Sequence, residues 1–536
     1  MRGTIVRGSL SGGLEAKLAA QESVESVRVG SFVVVEGEQH KFFSMVTDVR
    51  LDAMNPQVLL DPTGVEDDLA REILTGTSIF GTVSIQPMLM LKKDETAIAD
   101  GPRPVKTIPA HFSPVREALE EDVYQVFGRP DQTHFYLGMP LDMDIPVCLN
   151  LKRFVERSNG IFGKSGTGKT FLTRLVLAGL IRSRQAVNLV FDMHNEYGWE
   201  AKKEDEFGEK KVKGLKQLFG SQVVVFTLDQ ESATRRGFTS DFVVEIPLSQ
   251  IEVEDIALLQ DELKLNNTAV EVAYQLVRRF GEERWLSEFL RWDGTSVDEY
   301  AQDVGAHPQA LAALYRKLNL LRQLTFIKEK VSQDAVEEIL KYLERGINVI
   351  LEFGLQNKLL TYMLVANILT RRIHRRYMEK SERYLFTGKD QPQPLMITIE
   401  EAHKFLNPAT ARQTIFGTIA REMRKYNVTL LIVDQRPSGI DPEVLSQVGT
   451  RVTCLLNDEH DINAVLTGVS NAASLRSVLA SLDSKQQALI LGHAVPMPVV
   501  IRSRNYDEEF YREVGVPDTS SEASFERLVD ELYGEG

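Results

Sequence analysis

The segment Gly163 to Thr170 reads GKSGTGKT, which fits the pattern GxxxxGK[ST]. An apolar run, Ser158 to Phe162, precedes the segment, and a helical stretch, FLTRLVLAGLI, follows it. In such a strand, loop and helix, glycines allow successive backbone N–H groups to surround phosphate groups at the N-terminus of the helix. The segment therefore predicts a phosphate-binding loop that contacts a nucleotide through Gly163, Lys164, Ser165, Gly166, Thr167, Gly168, Lys169, Thr170 and Phe171.

Two side chains of this loop have specific predicted roles. Lys169 would reach the β- and γ-phosphates of ATP, and the Thr170 hydroxyl would bind a magnesium ion. The alternative is a glycine-rich turn that binds no nucleotide. The strand before the loop and the helix after it favour nucleotide binding, so ATP and Mg²⁺ are the expected cofactors.

A second element, LMITIEEAH from Leu395 to His403, ends an apolar run with two carboxylates. We expect Glu400 to bind the magnesium ion together with Thr170, and Glu401 to polarise the attacking water as a catalytic residue. Asp is the usual residue at the first position, so the extra methylene of Glu400 must be accommodated. The alternative is that both carboxylates only cap the following helix.

The apolar run from Val428 to Val433 is followed by Asp434, Gln435 and Arg436. A glutamine at the end of such a strand can hydrogen-bond both the γ-phosphate and the lytic water. Gln435 is therefore the predicted sensor of the γ-phosphate. A lone polar residue at a strand end is weak evidence for a functional site. Gln435 is a candidate because the other two motifs are present in the same chain.

A cationic segment, IAREMRKYNV, lies between the acidic strand and the sensor strand. Cations are favoured near the C-terminus of a helix by its macrodipole, which is the structural interpretation. The functional interpretation is that Arg421 or Arg424 is an arginine finger that completes the site of a neighbouring subunit. Arg157 and Arg451 are weaker alternatives.

The segment VFDMHNEYG places Asp192, His194 and Glu196 directly after another apolar run. One histidine and two acids in a single loop are more typical of a polar loop near a nucleotide than of a metal centre. We expect no metal other than magnesium.

Two basic segments could contact DNA: Lys202 to Lys216, KKEDEFGEKKVKGLK, and Arg371 to Arg376, RRIHRR. Both could also be solvated surfaces. The first is the better candidate for a pore loop, because it leaves the predicted sheet soon after Glu196.

The wider pattern predicts an α/β protein with three regions. Short β-like runs before residue 145 indicate a small all-β barrel or sandwich. From 146 to 505, apolar strands alternate with helices, which indicates a parallel sheet flanked by helices; a helical insertion spans about 247 to 345. Residues 506 to 536 form an acidic tail with an amphipathic stretch from Phe525 to Leu532.

Composition limits the class of protein. The chain has 536 residues, 43% of them hydrophobic, and two cysteines, which predicts a multidomain protein of a reducing compartment. The sequence shows no signal peptide and no long apolar run, so we expect a cytoplasmic protein without a membrane segment. A net charge of -14 does not exclude DNA binding, because lysines and arginines could gather on the inner wall of a ring.

With these residues in order, the chain resembles the HerA family of the FtsK/HerA P-loop ATPase superfamily. The similarity runs from about Val147 to Arg502 through PVCLNLKRFVERSNGIFGKSGTGKT, VFDMHNEYG, ITIEEAHKFLNP, IAREMRKYNV and VDQRPSGIDPEVLSQVGTRV. The resemblance implies a RecA-like core and an N-terminal β-barrel. It also implies a hexameric ring that uses ATP to move double-stranded DNA beside a nuclease of the NurA type, or beside another effector in antiphage defence.

A different class of function stays open at this point. The chain could be a nucleotide-gated scaffold that licenses an effector enzyme, with little DNA transport. A metabolite kinase is a weaker alternative, because no acceptor-binding motif is evident. Stimulation of ATP hydrolysis by duplex DNA distinguishes a motor from a scaffold.

Overall fold

The computed structural model describes residues 1–54, 79–93, 101–141, 143–205, 208–356, 358–411, 415–469, 472–483 and 485–515. The amphipathic stretch predicted from Phe525 to Leu532 lies outside them. Within the described residues, no helix has both the length and the apolar character needed to cross a membrane.

The N-terminal region is a closed β-barrel. Its strands are β1 (Arg2–Ser9), β2 (Gly13–Leu18), β3 (Phe32–Glu36), β4 (His40–Ala53), β5 (Ile79–Lys92), β6 (Arg103–Pro104) and β7 (Pro114–Glu117). They follow the order β2-β1-β7-β3-β4-β5-β6, and an additional pairing of β2 with β5 closes the sheet. Alternate residues such as Val33, Val35 and Phe42 fill the interior. The prediction of a small β-barrel is confirmed.

The rest of the chain is organised by a second, larger sheet. Its strands are β8 (His134–Met139), β9 (Val147–Asn150), β10 (Asn159–Phe162), β11 (Val187–Asp192), β14 (Val223–Thr227), β15 (Phe242–Val243), β18 (Asn348–Glu352), β19 (Leu395–Glu400), β20 (Val428–Asp434), β21 (Thr450–Thr453), β22 (Gln487–Gly492) and β23 (Val499–Ser503). Two short pairs lie outside this sheet: β12 (Ala201–Asp205) with β13 (Gly208–Val212), and β16 (Ile246–Pro247) with β17 (Ile327–Lys328).

The order of the larger sheet is β15-β14-β18-β11-β19-β20-β10-β21-β22-β23-β8-β9. The pairings from β15 to β21 are parallel, and those from β21 to β9 are antiparallel. In the parallel part the carboxyl ends of the strands meet at one edge, which is where ligands bind in open α/β sheets. This edge, called the carboxyl edge below, contains every predicted motif that ends a strand.

Helices cover both faces of the larger sheet. They are α1 (Glu120–Phe127), α2 (Leu151–Val155), α3 (Lys169–Ser183), α4 (Leu215–Phe219), α5 (Gln230–Arg235), α6 (Val253–Leu258), α7 (Gln260–Leu263), α8 (Asn267–Phe280), α9 (Trp285–Arg291), α10 (Val297–Val304), α11 (Pro308–Leu318), α12 (Ala335–Glu344), α13 (Leu359–Thr387), α14 (Ile415–Glu422), α15 (Pro442–Ser446), α16 (Glu459–Leu466), α17 (Ala472–Ala480) and α18 (Glu508–Val514).

Two apolar cores lie on opposite faces of the sheet. On β11, Val190 belongs to the core that contains α3, whereas Leu189 and Phe191 belong to the core that contains α13. Successive side chains of a strand point to opposite faces, so a strand buried on both sides is a continuous apolar run. This explains why the strands were recognisable in the sequence. The RecA-like α/β fold class is confirmed.

The predicted helical segment is occupied by α6 to α12. The paired strands β16 and β17 lie near its beginning and its end, and Trp285, Phe289, Leu311 and Leu314 contribute to its interior. These apolar side chains recur at the helical spacing that the sequence showed.

Two region boundaries differ from the sequence-based expectation. The larger sheet begins with β8, before the expected boundary at 145, because Phe135 and Leu137 alternate with polar residues as in a barrel strand. At the other end, α18 is packed rather than part of a free tail. Its Phe510 is fully buried, with its ring 6.5 Å from that of Phe135. The acidic composition of this segment concealed one apolar helix face.

Candidate nucleotide site

The phosphate-binding loop lies between β10 and α3. The N–H of Gly163 donates to the Asp434 carbonyl at 3.3 Å, and the N–H of Lys164 donates to the Leu455 carbonyl at 3.0 Å. Gly163 has φ 155°, and a Cβ there would lie 2.7 Å from the Cβ of Cys454. A side chain at this position would clash, so the motif requires glycine there. The loop is thereby anchored on both sides while Lys164, Ser165 and Gly166 stay exposed.

Lys169 begins α3 and lies over the loop. Its Nζ donates to the Lys164 carbonyl at 2.9 Å. Burial lowers the pKa of the Lys169 ammonium, while the thiol of Cys454 and the carboxylates of Glu401 and Asp434 oppose that shift. An ammonium in this position can donate a hydrogen bond to a phosphate oxygen in place of the carbonyl. Phe171, also predicted to contact nucleotide, is half-buried, with its ring 6.4 Å from that of Tyr506.

Buried carboxylates end four neighbouring strands along the carboxyl edge. They are Glu352 of β18, Asp192 of β11, Glu400 of β19 and Asp434 of β20. Acidic groups buried at a sheet edge where ligands bind are typical of a functional site. Among these four carboxylates, only Glu400 was predicted from the sequence to have a role in the nucleotide site.

Glu400 is buried beside Tyr197. The Tyr197 hydroxyl donates to its Oε1 at 2.8 Å, and its Oε2 is buried without a hydrogen-bond partner among the described residues. Burial, followed by the charge of Asp192, raises the pKa of Glu400 well above its usual range. This environment favours the neutral carboxyl group. The predicted contact of Glu400 with magnesium stays a prediction.

Glu401 lies beside Gln435, as a shared site requires. The Gln435 amide donates to Glu401 Oε1 at 2.8 Å, although 34 residues separate the two in sequence. Glu401 has φ 50°, a left-handed conformation that is uncommon outside glycine and that concentrates at functional sites. The predicted water-polarising and sensor side chains therefore contact each other, and their roles stay predictions.

His403 is a residue that sequence analysis did not assign. Its backbone N–H donates to Asp434 Oδ2 at 2.7 Å, and its Nδ1 lies 3.0 Å from both carboxylate oxygens of Asp434. This hydrogen bond raises the pKa of His403 above its ordinary value, against the effect of burial. The same Nδ1 is 3.8 Å from Glu401 Oε2. His403 is the histidine of the EEAH motif and could have been considered there. Its partner Asp434 is distant in sequence, so the contact itself could not be predicted.

The loop after β11 was predicted from the sequence to be a polar loop near a nucleotide, but none of its residues was given a role. Glu196 Oε2 accepts a hydrogen bond from the Thr170 hydroxyl at 3.0 Å. Asp192 is fully buried and accepts hydrogen bonds from the backbone N–H groups of Glu196 and Tyr197, both at 2.8 Å. Asp192 thus orients the loop, and Glu196 is the acid that reaches the nucleotide loop.

The arginine candidates have different environments. Arg421 is half-buried, and its guanidinium makes long contacts of 3.4 and 3.5 Å to the Ala411 carbonyl. Arg424 and Arg157 are exposed. These three side chains can therefore reach a neighbouring molecule.

Arg451 cannot serve as an arginine finger. It is buried, and its guanidinium donates to the carbonyls of Val465, Thr467 and Leu445 at 2.6 to 3.0 Å. Burial lowers the pKa of this guanidinium. The side chain joins β21 to α15 and α16, so the alternative that the sequence left open for Arg451 is wrong.

The basic segment from Arg371 to Arg376 is neutralised inside the protein. It lies on α13, and its arginines pair with acids of the helical insertion at α6 and α12. These pairs, called the arginine seam below, are Arg371 with Asp255 at 2.9 Å, Arg372 with Asp334 at 2.8 Å and Arg376 with Glu337 at 2.6 Å. The seam leaves only Arg375 of this segment largely exposed. Its function is structural.

The other basic segment forms a hairpin. Its strands β12 and β13 pair with Lys202 opposite Lys211 and Lys203 opposite Lys210. After the hairpin, Lys216 donates to Asp241 and belongs to the body of the protein. The lysines of the hairpin thus remain candidates for a DNA contact.

A phosphate-binding loop beside carboxylates at the carboxyl edge of a RecA-like sheet defines a P-loop ATPase. The family model "Helicase HerA, central domain" matches residues 135–373, and the HAS barrel domain matches residues 3–100. The chain belongs to the HerA family, as its motifs predicted.

Two relatives cover most of the chain. It is 22% identical over 487 residues to a DNA double-strand break repair helicase HerA of Saccharolobus solfataricus, covering 89% of this chain and 87% of the relative. It is 24% identical over 498 residues to the protein of the same description from Sulfurisphaera tokodaii, covering 90% of each. The bacterial conjugative coupling protein TrwBdeltaN70 aligns with a TM-score of 0.47 and 10% identity, covering 73% of this chain and 93% of that one.

Proposed function

We propose that the chain is a motor ATPase that assembles into a hexameric ring and uses ATP to move double-stranded DNA. The observation that carries this proposal is the nucleotide site, in which Lys169, Glu401 and Gln435 converge on one edge of the sheet. Membership of the HerA family supports DNA as the substrate, because the relatives are described as DNA repair helicases. We further propose a partner nuclease of the NurA type or an antiphage effector, and a cytoplasmic location.

In this proposal the residues of the site divide the work on ATP. Lys169 neutralises the β- and γ-phosphates, and Thr170 binds the magnesium ion that accompanies the nucleotide. Glu401 polarises the attacking water, and Gln435, which contacts Glu401, responds to the γ-phosphate. Oxygen donors of this kind suit Mg²⁺.

The magnesium ion is expected to arrive with the nucleotide. Within the residues that the structure describes, no group of three His, Cys, Asp or Glu side chains is placed to hold a metal ion. Mg²⁺ is usually held by one or two protein oxygens together with phosphate oxygens and water. The donors beside the phosphate-binding loop fit that arrangement.

DNA contact is assigned to the β12–β13 hairpin. It contributes Lys202, Lys203, Lys210 and Lys211 in two directly paired positions. In a ring of six chains, the positive charge of these paired lysine positions would repeat around the pore, beside the acidic positions Glu204 and Glu209 of the same hairpin. The arginine seam cannot supply this charge, because its guanidinium groups are paired with carboxylates.

The deciding experiment compares ATP hydrolysis with and without linear duplex DNA. A motor should hydrolyse ATP several-fold faster with DNA, and a mass measurement should give six times the chain mass of 60.4 kDa. Replacement of Lys202 and Lys203 by alanine should reduce the stimulation and its salt dependence while basal hydrolysis is unchanged. If DNA has no effect and a protein partner stimulates hydrolysis instead, the chain is a nucleotide-gated scaffold.

A second experiment tests the shared site. Replacing Arg421 or Arg424 by alanine should leave ATP binding intact, and for one of the two it should slow hydrolysis by about 10³- to 10⁵-fold. Mixing that variant with Glu401→Gln should restore part of the activity, because some interfaces then combine an intact arginine with an intact glutamate. If both variants are active, or if mixing gives no recovery under subunit exchange, Arg157 is the next candidate.

A further inference from the structure

The loop between β11 and β12 places a carboxylate directly on the phosphate-binding loop. The Thr170 hydroxyl and Glu196 Oε2 are 3.0 Å apart, and both side chains are only partly buried. The sequence predicted a carboxylate partner for Thr170 at the end of β19. The structure places one from a different strand in that position.

Several contacts hold Glu196 in this orientation. Asp192 accepts the backbone N–H groups of Glu196 and Tyr197, and Arg174 of α3 donates to the Glu196 carbonyl. In the same loop, the Asn195 side chain accepts the N–H of Gly354 at 3.0 Å. The backbone on each side of Glu196 is therefore fixed, and its carboxylate does not need to be reoriented to reach Thr170.

Glu400 is in a different situation. One of its oxygens accepts the hydroxyl of Tyr197, the residue that follows Glu196, and the whole side chain is buried. Tyr197 thus covers Glu400 with the same turn of chain that presents Glu196 to Thr170. A buried carboxylate must overcome the cost of desolvation before it can bind a cation, and a partly exposed one pays much less of it.

We propose that Glu196, rather than Glu400, is the carboxylate that acts with Thr170 on the magnesium ion of bound ATP. Adjacent oxygen ligands of an octahedral Mg²⁺, each about 2.1 Å from the metal, are separated by roughly 3.0 Å. The distance between the Thr170 and Glu196 oxygens equals this separation. Glu400 instead accepts the hydroxyl of Tyr197 and is not a ligand of the ion. The inference rests on the proposed nucleotide site and does not depend on DNA transport.

The test measures binding of a fluorescent, slowly hydrolysed ATP analogue, mant-ATPγS, to the full chain, in Mg²⁺ and in EDTA. Glu196→Gln should lose about 10-fold or more of the affinity gained with Mg²⁺, and its affinity in EDTA should match the wild type. Glu400→Gln and Tyr197→Phe should retain the full magnesium-dependent gain. Glu231→Gln, at an exposed position of α5, is the matched control.

The inference would be overturned if Glu196→Gln kept the full magnesium-dependent gain in affinity. It would also be overturned if Glu400→Gln lost that gain, whether or not Glu196→Gln lost it too. Unchanged affinity in EDTA shows that a variant is folded, and Glu196→Asp adds a charge-conserving variant for comparison. Failure of the wild type to bind the analogue would overturn the nucleotide site itself. If Glu196→Gln lost the magnesium-dependent gain in affinity while DNA failed to stimulate ATP hydrolysis by the wild type, the inference would be supported and the proposed motor contradicted.

Discussion

Acidic side chains lie partly or fully buried in two regions of this molecule, with different partners in each. In the arginine seam, Asp334 accepts both the backbone N–H of Glu337 and the guanidinium of Arg372, and these contacts lower its pKa against the effect of burial. At the carboxyl edge, Glu400 has a tyrosine hydroxyl as its partner, and burial raises its pKa. The acids of the seam are paired with guanidinium groups, although burial still raises the pKa of Asp255 to about 6; Glu400 is paired with a tyrosine hydroxyl instead, which suits a functional site rather than stability.

The two regions differ in which charges are available to a ligand. The sequence RRIHRR is a dense basic run, yet carboxylates of the helical insertion pair with its arginines. The acids at the carboxyl edge are fewer and further apart in sequence, but they converge. Charge changes at the edge should therefore alter catalysis, and charge changes in the seam should alter stability.

The largest expected effect is at the edge. Lys169→Ala should reduce ATP hydrolysis by about 10³-fold or more, because the charge that neutralises the transferring phosphoryl group is lost. Its unfolding temperature should not fall, since burial already disfavours the Lys169 ammonium. Steady-state ATPase assays and thermal unfolding check the two parts. Near-normal turnover in the folded variant would remove the assignment of the ATPase site.

Glu401→Gln should bind ATP normally and hydrolyse it roughly 10²- to 10³-fold more slowly, because the amide keeps the contact with Gln435 but cannot polarise water. Nucleotide binding and single-turnover hydrolysis measure the two steps separately. Glu400→Gln is the neighbouring control and should retain more activity. The opposite ranking would show that the roles of the two glutamates are reversed.

In the seam, Arg371→Ala should lower the free energy of unfolding by about 3 to 5 kcal/mol, because it leaves the buried Asp255 carboxylate without its cation. Basal ATP hydrolysis per folded molecule should be unchanged. Arg375→Ala, four residues further along the same helix and largely exposed, is the matched control and should change stability by less than about 1 kcal/mol. Equal effects of the two substitutions would contradict the distinction between seam and surface.

The smallest effect concerns pH. Burial, with the charge of Asp192, raises the pKa of Glu352 to about 7, although Arg236 favours its ionised form. The Glu352 carboxyl therefore binds a proton more tightly in the folded state than in the unfolded state. Its contribution to the free energy of unfolding falls as pH rises from its unfolded pKa through 7. Glu352→Gln should remove that loss.

The measurement is the difference in unfolding free energy between Glu352→Gln and the wild type. It should shift in favour of the variant by about 2 kcal/mol between pH 5 and pH 8. Any constant cost of disturbing Arg236 cancels in this comparison. A difference that does not vary with pH would show that Glu352 titrates normally.

Much of the fold and part of the site could be predicted from local sequence. Strands such as Val187–Asp192 are continuous apolar runs because both faces are buried, and the loop from Gly163 to Thr170 has fixed residue types because backbone atoms must approach a phosphate. The short β-like runs before residue 145 predicted a small barrel or sandwich, and the resemblance to the family specified the barrel. These features depend on residues that are close together in the chain.

The segments that were misjudged depend on distant partners. β8 looks like a barrel strand until its pairing with β23 is known, and α18 looks like an acidic tail until Phe510 is placed against Phe135. Arg451 looked like a possible finger until its guanidinium was found among backbone carbonyls. Burial of these side chains is decided by contacts that local composition does not encode.

The sequence by itself determined the class of this protein, because three motifs each mark the end of a strand: GKSGTGKT, the acidic motif at Glu400 and the sensor motif at Gln435. Only the tertiary structure decided which of the acids meet which partner. Glu196 reaches Thr170, and Tyr197 covers Glu400, because one loop crosses the ends of β11 and β19. Parallel strands bring residues together at the carboxyl edge in sheet order rather than in chain order, so neighbours at the site need not be neighbours in sequence.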